Sequence, residues 1–182
     1  MKPSIRLAGI SGSLRRASKN TGILRALAER LPAGVEMALV DLQNVPFYNQ
    51  DLKNKPESVY KALEQMQQAD ALVLACPEYN YSVAPALKNI LDWASREPEN
   101  GVLNGKPVAI VGAGGGMGTS RAQYHLRQIC TGLNLRPLNR PEFFSNAFQG
   151  AYTEDGELQD AKLLELLDEV LKALITVIGA PR

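Results

Sequence analysis

The chain has few of the residues that build metal and thiol chemistry. One histidine, His125, and two cysteines, Cys76 and Cys130, are spread over 182 residues. The cysteines form no CxxC pair, and a lone histidine cannot complete a His/Cys cluster, so neither a metal site nor a dithiol redox centre is expected. Charge of one sign is also lacking. The 20 Lys and Arg against 19 Asp and Glu leave a formal net charge of +1, too little to recruit nucleic acid or an anionic membrane at long range. No apolar run approaches the roughly 20 residues of a membrane span. Near the amino terminus, where Lys2 and Arg6 are the charges, none is long enough for a signal peptide. The glycosylation pattern at Asn80-Tyr81-Ser82 is therefore read as chance, and a cytoplasmic location is expected. Internal repeats and low-complexity tracts are absent too.

What is present is an alternation. Apolar residues make up 45% of the chain, and its length suits one domain, expected to span residues 1–182. Short apolar runs bounded by Gly, Pro or polar clusters take turns with segments of helical period. Strands are expected at Ile5 to Ile10, Val35 to Asp41, Ala71 to Cys76, Val108 to Val111, and somewhere between Arg136 and Phe144. Between them fall helices carrying Ile23, Leu24, Leu27 and Leu31; Val59, Leu63 and Met66; Leu87, Ile90, Leu91 and Ala94; and Leu126, Ile129, Cys130 and Leu133. A last helix is expected from Leu158 to Ile178, and Val45 to Gln50 as a loop with exposed aromatics. The run Ala71-Leu72-Val73-Leu74-Ala75-Cys76 is apolar without interruption, as a central strand covered on both faces must be. Five strands joined by right-handed helical crossovers give an α/β, flavodoxin-like, doubly wound parallel sheet of order 2-1-3-4-5, with helices on both faces.

That order fixes where a ligand sits. The crevice opens beyond the carboxyl ends of strands one, three and four, where the winding direction switches. Those ends lead into Ser11 to Asn20, Pro77 to Ser82 and Gly112 to Gly118. The first loop runs into a helix start, whose free amides and positive dipole end suit a phosphate. Ser13, Ser18, Asn20 and Thr21 add side-chain donors there, and Arg15 a charge-assisted one. A plainer use is also open, with Ser18 or Asn20 capping the helix and the arginines solvated. No GxxxxGK[ST] occurs, and Met117 stands where GxGxxG needs its last glycine, so neither phosphate-loop pattern is met. The glycine run either lets a flat ring lie close to the main chain or is simply a turn.

Gly12-Ser13-Leu14-Arg15, Ser18 and Asn20, Pro77-Glu78-Tyr79-Asn80-Tyr81-Ser82 and Leu87-Lys88-Asn89-Ile90-Leu91-Asp92-Trp93 together resemble the NADPH-dependent FMN reductase family, which includes bacterial quinone, azo-dye and chromate reductases. Motif order and spacing match along the whole chain. The resemblance implies non-covalently held FMN, NADPH or NADH as electron donor, and a small-molecule acceptor such as a quinone, azo dye, chromate or free flavin. It implies ping-pong kinetics with no catalytic side chain.

Carried over by position, the resemblance gives Ser13, Leu14, Arg15, Ser18, Asn20 and Thr21 to the FMN phosphate, and Pro77, Glu78, Tyr79, Asn80 and Tyr81 to the ring edge. Gly114, Gly115 and Gly116 would flank the ring, although some relatives carry serine or threonine there. The segment Arg121 to Gln128 is similar to a helix used in subunit contacts, so a homodimer or homotetramer is implied, with Arg121, Tyr124, Glu142, Phe47 and Tyr48 as interface candidates. Surface packing of Tyr79 or Tyr81, and a solvated helix face at Arg121 to Gln128, are the competing structural readings. The competing functions are a flavodoxin-type electron carrier and a ligand-responsive regulatory protein of the same fold. Near-neutral net charge and Arg15-Arg16 argue against the carrier.

Overall fold

Alternate residues of the central strands feed two separate cores, and that division organises the molecule. The computed structural model describes residues 5–52 and 54–179; residues 1–4, 53 and 180–182 of the expected domain lie outside the described residues. In chain order the elements are β1 (Ile5–Ser11), α1 (Lys19–Glu29), β2 (Val35–Val40), α2 (Glu57–Gln68), β3 (Ala71–Ala75), β4 (Glu78–Tyr79), β5 (Ser82–Val83) and α3 (Pro85–Ala94). Then follow β6 (Pro107–Val111), β7 (Ala113–Gly114), α4 (Ser120–Gly132), β8 (Arg136–Pro137), β9 (Ser145–Asn146) and α5 (Ala161–Ile178). The main sheet has the order β2-β1-β3-β6-β8 and is parallel throughout. This is the expected doubly wound order.

Strands β3 and β6 are buried at every residue. Leu72, Leu74, Val108 and Ile110 join Met66, Leu87, Ile90 and Leu126 beneath α2, α3 and α4. Val73, Ala75, Ala109 and Val111 point the other way, into the core under α1 and α5 with Ile23, Leu27, Leu167 and Leu174. Side chains of a strand alternate between faces, so a strand covered twice has no position left for a polar residue. Burying a large aliphatic side chain contributes about 1.5–3 kcal/mol, which makes these strands the stable frame of the fold.

The register brings the site together. Ala75 is level with Ser11 on one side and Val111 on the other. The ladder runs one step further through Gly12 N to Ala75 O at 2.9 Å and Cys76 N to Val111 O at 2.8 Å. The three loops therefore leave the sheet at one height.

The structure corrects several expected boundaries. The fifth strand of the sheet is only Arg136–Pro137, joined to β6 by Arg136 N to Lys106 O and Leu138 N to Val108 O, both at 2.8 Å. Beyond it, Ser145–Asn146 pairs with Ala113–Gly114 in a ribbon outside the main sheet. The last helix starts at Ala161, not Leu158: Asp160 caps it by accepting from Leu163 N at 2.9 Å, and Leu158 instead bridges to Tyr152. Leu133 stands past the end of α4. In the loop before α2, Phe47 is exposed as expected but Tyr48 is not. Its ring meets Trp93 edge-on at 5.1 Å, and its amide donates to Asn89 Oδ1 at 2.8 Å.

Helix α1 is pressed against the loop before α5 so closely that a Cβ on Gly22 would stand 1.9 Å from Gly156 O. Gly132, at the end of α4, has nothing within 4 Å. We expect Gly22→Ala to destabilise by about 1–3 kcal/mol through overpacking, and Gly132→Ala to stabilise by up to about 1 kcal/mol through helix propensity. Urea unfolding midpoints of the two variants check this; equal midpoints would show that the Gly156 loop does not bear on α1.

Candidate functional site

The helix start at α1 is built by short-range hydrogen bonds. Ser18 is the N-cap, and its Oγ accepts from Thr21 N at 3.1 Å. Thr21 donates its own hydroxyl to Ser11 Oγ at 2.9 Å, and Ser11 Oγ accepts from Ser13 N at 3.2 Å. The amides of Lys19 and Asn20 have no carbonyl one turn back, as in any first helical turn. Asn20 is buried, and its carboxamide exchanges two 3.0 Å hydrogen bonds with the main chain of Ala113. Of the two sequence readings of Ser18, capping is realised. Its hydroxyl proton stays available to a ligand. Leu14 and Arg15 are exposed, and among the described residues the Arg15 side chain has no acidic partner.

The middle loop is a two-residue hairpin. Tyr79 pairs with Ser82, and Asn80 and Tyr81 turn the chain at φ of 48° and 67°. That left-handed pair is what a tight hairpin needs, but it is a costly conformation for an aromatic residue. Two contacts hold it. Arg121 Nε donates to Glu78 Oε1 at 2.6 Å while its guanidinium lies 3.7 Å from the Tyr81 ring centroid. Glu78 Oε2 also accepts from Ala122 N at 3.2 Å, in the first turn of α4, where a carboxylate is favoured by the dipole. The Glu78 side chain is only 6% exposed. Its carboxylate is thus committed to Arg121, leaving backbone groups to face a ligand, while Tyr79 and Tyr81 stay exposed.

In the third loop the glycines differ in purpose. A Cβ on Gly114 would stand 2.2 Å from Gly118 O, so the fold itself excludes a side chain there. At Gly115 and Gly116 a Cβ would meet nothing within 4 Å, and neither φ is positive. The fold itself leaves room for a side chain at both.

A cleft of about 210 Å³ joins the three loops, lined by Ser13, Arg15, Ser18, Lys19, Asn20, Pro77, Glu78, Tyr79, Gly114 and Gly115 among others. Of the residues named from sequence, Leu14, Thr21, Asn80, Tyr81 and Gly116 do not line it. Lys19 and Ala113, which lie within the expected loops without being singled out, also line it, as do Ala147 and Phe148, which were not foreseen. Ala147 and Phe148 come from the chain after β9, which no motif marks. Lys19 sits between Ser18 and Asn20, and its place at a helix start was the one signal available. Roomier hollows lie between α2 and the carboxyl end of β2 (about 520 Å³) and between α1 and α5 (about 630 Å³).

The interface candidates do not meet one another within the chain. Arg121 is held by Glu78, Glu142 by Arg140 at 2.6 Å, and Tyr124 and Phe47 are exposed. Both thiols are buried, and burial pushes Cys76 and Cys130 up to about 12 from the ordinary 9.0. They are protonated at any physiological pH and unreactive. No group of three or more His, Cys, Asp or Glu that could hold a metal occurs among the described residues, and no helix among them is long and apolar enough to cross a membrane.

Fold and cleft together define a doubly wound protein in which the α1 helix start, the hairpin and the glycine loop meet at the sheet's switch point. Residues 5–150 match the family described as NADPH-dependent FMN reductase. The chain belongs to that family. It is 46% identical over 177 residues to an NAD(P)H-dependent FMN reductase of Pseudomonas aeruginosa, covering 96% of this chain and 95% of that protein. It is 44% identical over 181 residues to an NAD(P)H:quinone oxidoreductase of Solanum tuberosum, covering 95% and 92%. Among solved structures, FerB, a flavoenzyme NAD(P)H:(acceptor) oxidoreductase from Paracoccus denitrificans, superposes with a TM-score of 0.83 at 29% identity, covering 94% of this chain and 98% of that one.

Removing the guanidinium should loosen the hairpin rather than the fold. We expect Arg121→Met to raise amide hydrogen exchange over residues 78–83 about tenfold or more, with β3 and β6 unchanged. An unchanged hairpin would show that the turn holds itself. For the thiols, Ellman's reagent at pH 8 should titrate none in the folded protein and both in guanidinium.

Proposed function

We propose that the protein is an FMN-dependent NAD(P)H oxidoreductase that reduces quinones or similar small acceptors. The observation that carries this is the pairing of α1's open first turn with the vacant face of Gly115 across one cleft. A phosphate suits the first, and a planar ring suits the second. The residues present fit FMN. The Lys19 and Asn20 amides, the Ser13 and Ser18 hydroxyls and Arg15 would hold its phosphate. Pro77 and the main chain of Glu78 to Tyr81, with Gly114 to Gly116, would hold the ring. Relatives named as FMN reductase and quinone oxidoreductase support the same reading.

Bound there, FMN supplies the two-electron hydride chemistry that links nicotinamide to acceptor. The chain's part is placement. Backbone amides are fixed donors that need no rearrangement when negative charge develops beside them, and the hairpin holds its own amides rigidly through the Glu78–Arg121 pair. The cleft is smaller than the roughly 300–1,000 Å³ of an enclosing ligand pocket, so one face of a flat cofactor stays open, and donor and acceptor use it in turn. An open face also fits a broad range of acceptors.

Two finer points belong to the same proposal. Buried thiols with no partner suit a reducing compartment, in keeping with a cytoplasmic protein. Exposed Tyr124, Tyr79, Tyr81, Phe47 and Met117 leave apolar surface around α4 and the hairpin, which supports a homodimer or homotetramer closing over the cleft.

Initial rates with NADH or NADPH against menadione, with FMN added, test the proposal. Parallel double-reciprocal lines are expected; intersecting lines would mean that donor and acceptor bind together. Spectral binding of FMN without turnover would instead make the protein an electron carrier. Gly115→Leu should weaken FMN binding about tenfold or more and shift stability by less than about 0.5 kcal/mol. Unchanged affinity would remove the glycine wall from the site.

A further inference from the structure

Two cleft residues that no sequence motif singles out, Lys19 and Phe148, lie side by side. Lys19 Nζ donates to Ala147 O and stands 5.5 Å from the Phe148 ring centroid and 5.7 Å from that of Tyr152. Phe148 is 81% exposed although it lines the cleft. The main chain beneath it is fixed, by Ala147 N to Gly114 O at 2.7 Å and Phe148 N to Asn146 Oδ1 at 2.8 Å.

Neither arrangement helps the empty protein. An exposed phenyl forgoes the stabilisation of burial, and a lysine at the first position of a helix meets the dipole's positive end. Both make sense beside a ligand. The ring stands next to the helix start, beside Lys19, and shares the cleft lining with Gly114 and Gly115. The ammonium reaches away from its own helix to bind a carbonyl and two ring faces, which fixes the loop in that position.

Resting on the FMN reading above, we propose that Phe148 is a flavin-binding residue that forms the apolar outer wall of the cleft, and that Lys19 is the residue that positions it. Lys19 then acts through Phe148 and not chiefly as a phosphate cation. The distinction has a clear readout, because riboflavin carries the same ring and ribityl chain without the phosphate.

The experiment is fluorescence-quenching titration of wild type, Phe148→Ala, Lys19→Met, Lys19→Arg and the double variant Lys19→Met with Phe148→Ala, each with FMN and with riboflavin. Phe148→Ala should weaken both ligands by about the same factor, of order tenfold. Lys19→Met should match it for both, and the double variant should be no worse than either single one, the mark of two residues acting as a unit. Lys19→Arg, which keeps a cation for the carbonyl and the rings, should restore most of the affinity. Unchanged binding by Phe148→Ala overturns the proposal. So does a Lys19→Met variant that loses FMN affinity and keeps riboflavin affinity. Failure of the wild type to bind FMN overturns the flavin reading itself, a result distinct from a wild type that binds and a Phe148→Ala variant that binds equally well. Phe148 is exposed, so urea midpoints should stay constant and separate lost binding from lost fold.

Discussion

Asn20 exchanges two hydrogen bonds with the backbone of Ala113, and the rest of the cleft depends on that exchange. Its carboxamide leaves the first turn of α1 and satisfies both polar groups of the residue that opens the glycine loop. Strand β3 lies between β1 and β6 in the sheet, so no ladder joins the two loops directly. The Asn20 side chain spans the gap. Losing it would leave a buried amide and carbonyl unpaired, at about 1–3 kcal/mol for each group. It would also free the glycine loop from the helix start, so the two subsites would no longer be set at a fixed separation.

Around that clamp the loop ends are fastened by groups that serve one purpose each. Ser145 donates to Gly112 O at 3.0 Å and shares a hydrogen bond with the buried Tyr152 hydroxyl, which burial pushes up to about 12. Gln123 reaches Thr119 and the carbonyl of Phe143. Glu78 and Arg121 hold the hairpin. Of the polar residues that line the cleft, Asn20 and Glu78 have side chains tied down by hydrogen bonds within the chain. A site of this kind binds through shape and fixed dipoles, which suits chemistry carried by a bound group.

How much of this the sequence showed depends on the range of the interaction. Strand order, the two cores and the meeting of three loops follow from the apolar run at Ala71 to Cys76 and from the alternation of periods, because burial on both faces leaves a local record. The cap at Ser18 was legible as one of two uses. The short fifth strand was not: its pairing with β6 ends after Leu138, and Ser145–Asn146 finds its partner in Ala113–Gly114, more than thirty positions upstream. The same long reach hid Phe148 and Ala147. Asn20 was read as a phosphate ligand from its position, and only the fold turns its carboxamide toward Ala113.

Charge completes the picture. Among the described residues eight cations of the near-neutral chain pair with acids: Arg6 with Glu36, Arg25 with Glu157, Arg30 with Asp168, Lys55 with Glu97, Lys61 with Glu57, Lys88 with Asp92, Arg121 with Glu78 and Arg140 with Glu142. The exposed pairs among them contribute little to stability, but each cancels a local field. The α1 start is left uncancelled. Its first turn holds no acidic residue, Lys19 occupies it, and the Arg15 and Arg16 side chains have no acidic partner among the described residues. Three cations beside a positive dipole end repel one another in the absence of an anion. A sequence optimised for stability alone would place Asp or Glu there, so this local conflict marks the site. Steering by a net charge of +1 is negligible, whereas a concentrated positive spot at the mouth of a cleft attracts a phosphate over about a Debye length and no further. A phosphorylated ligand is therefore favoured by cations without acidic partners gathered at one helix start, not by the chain's net charge.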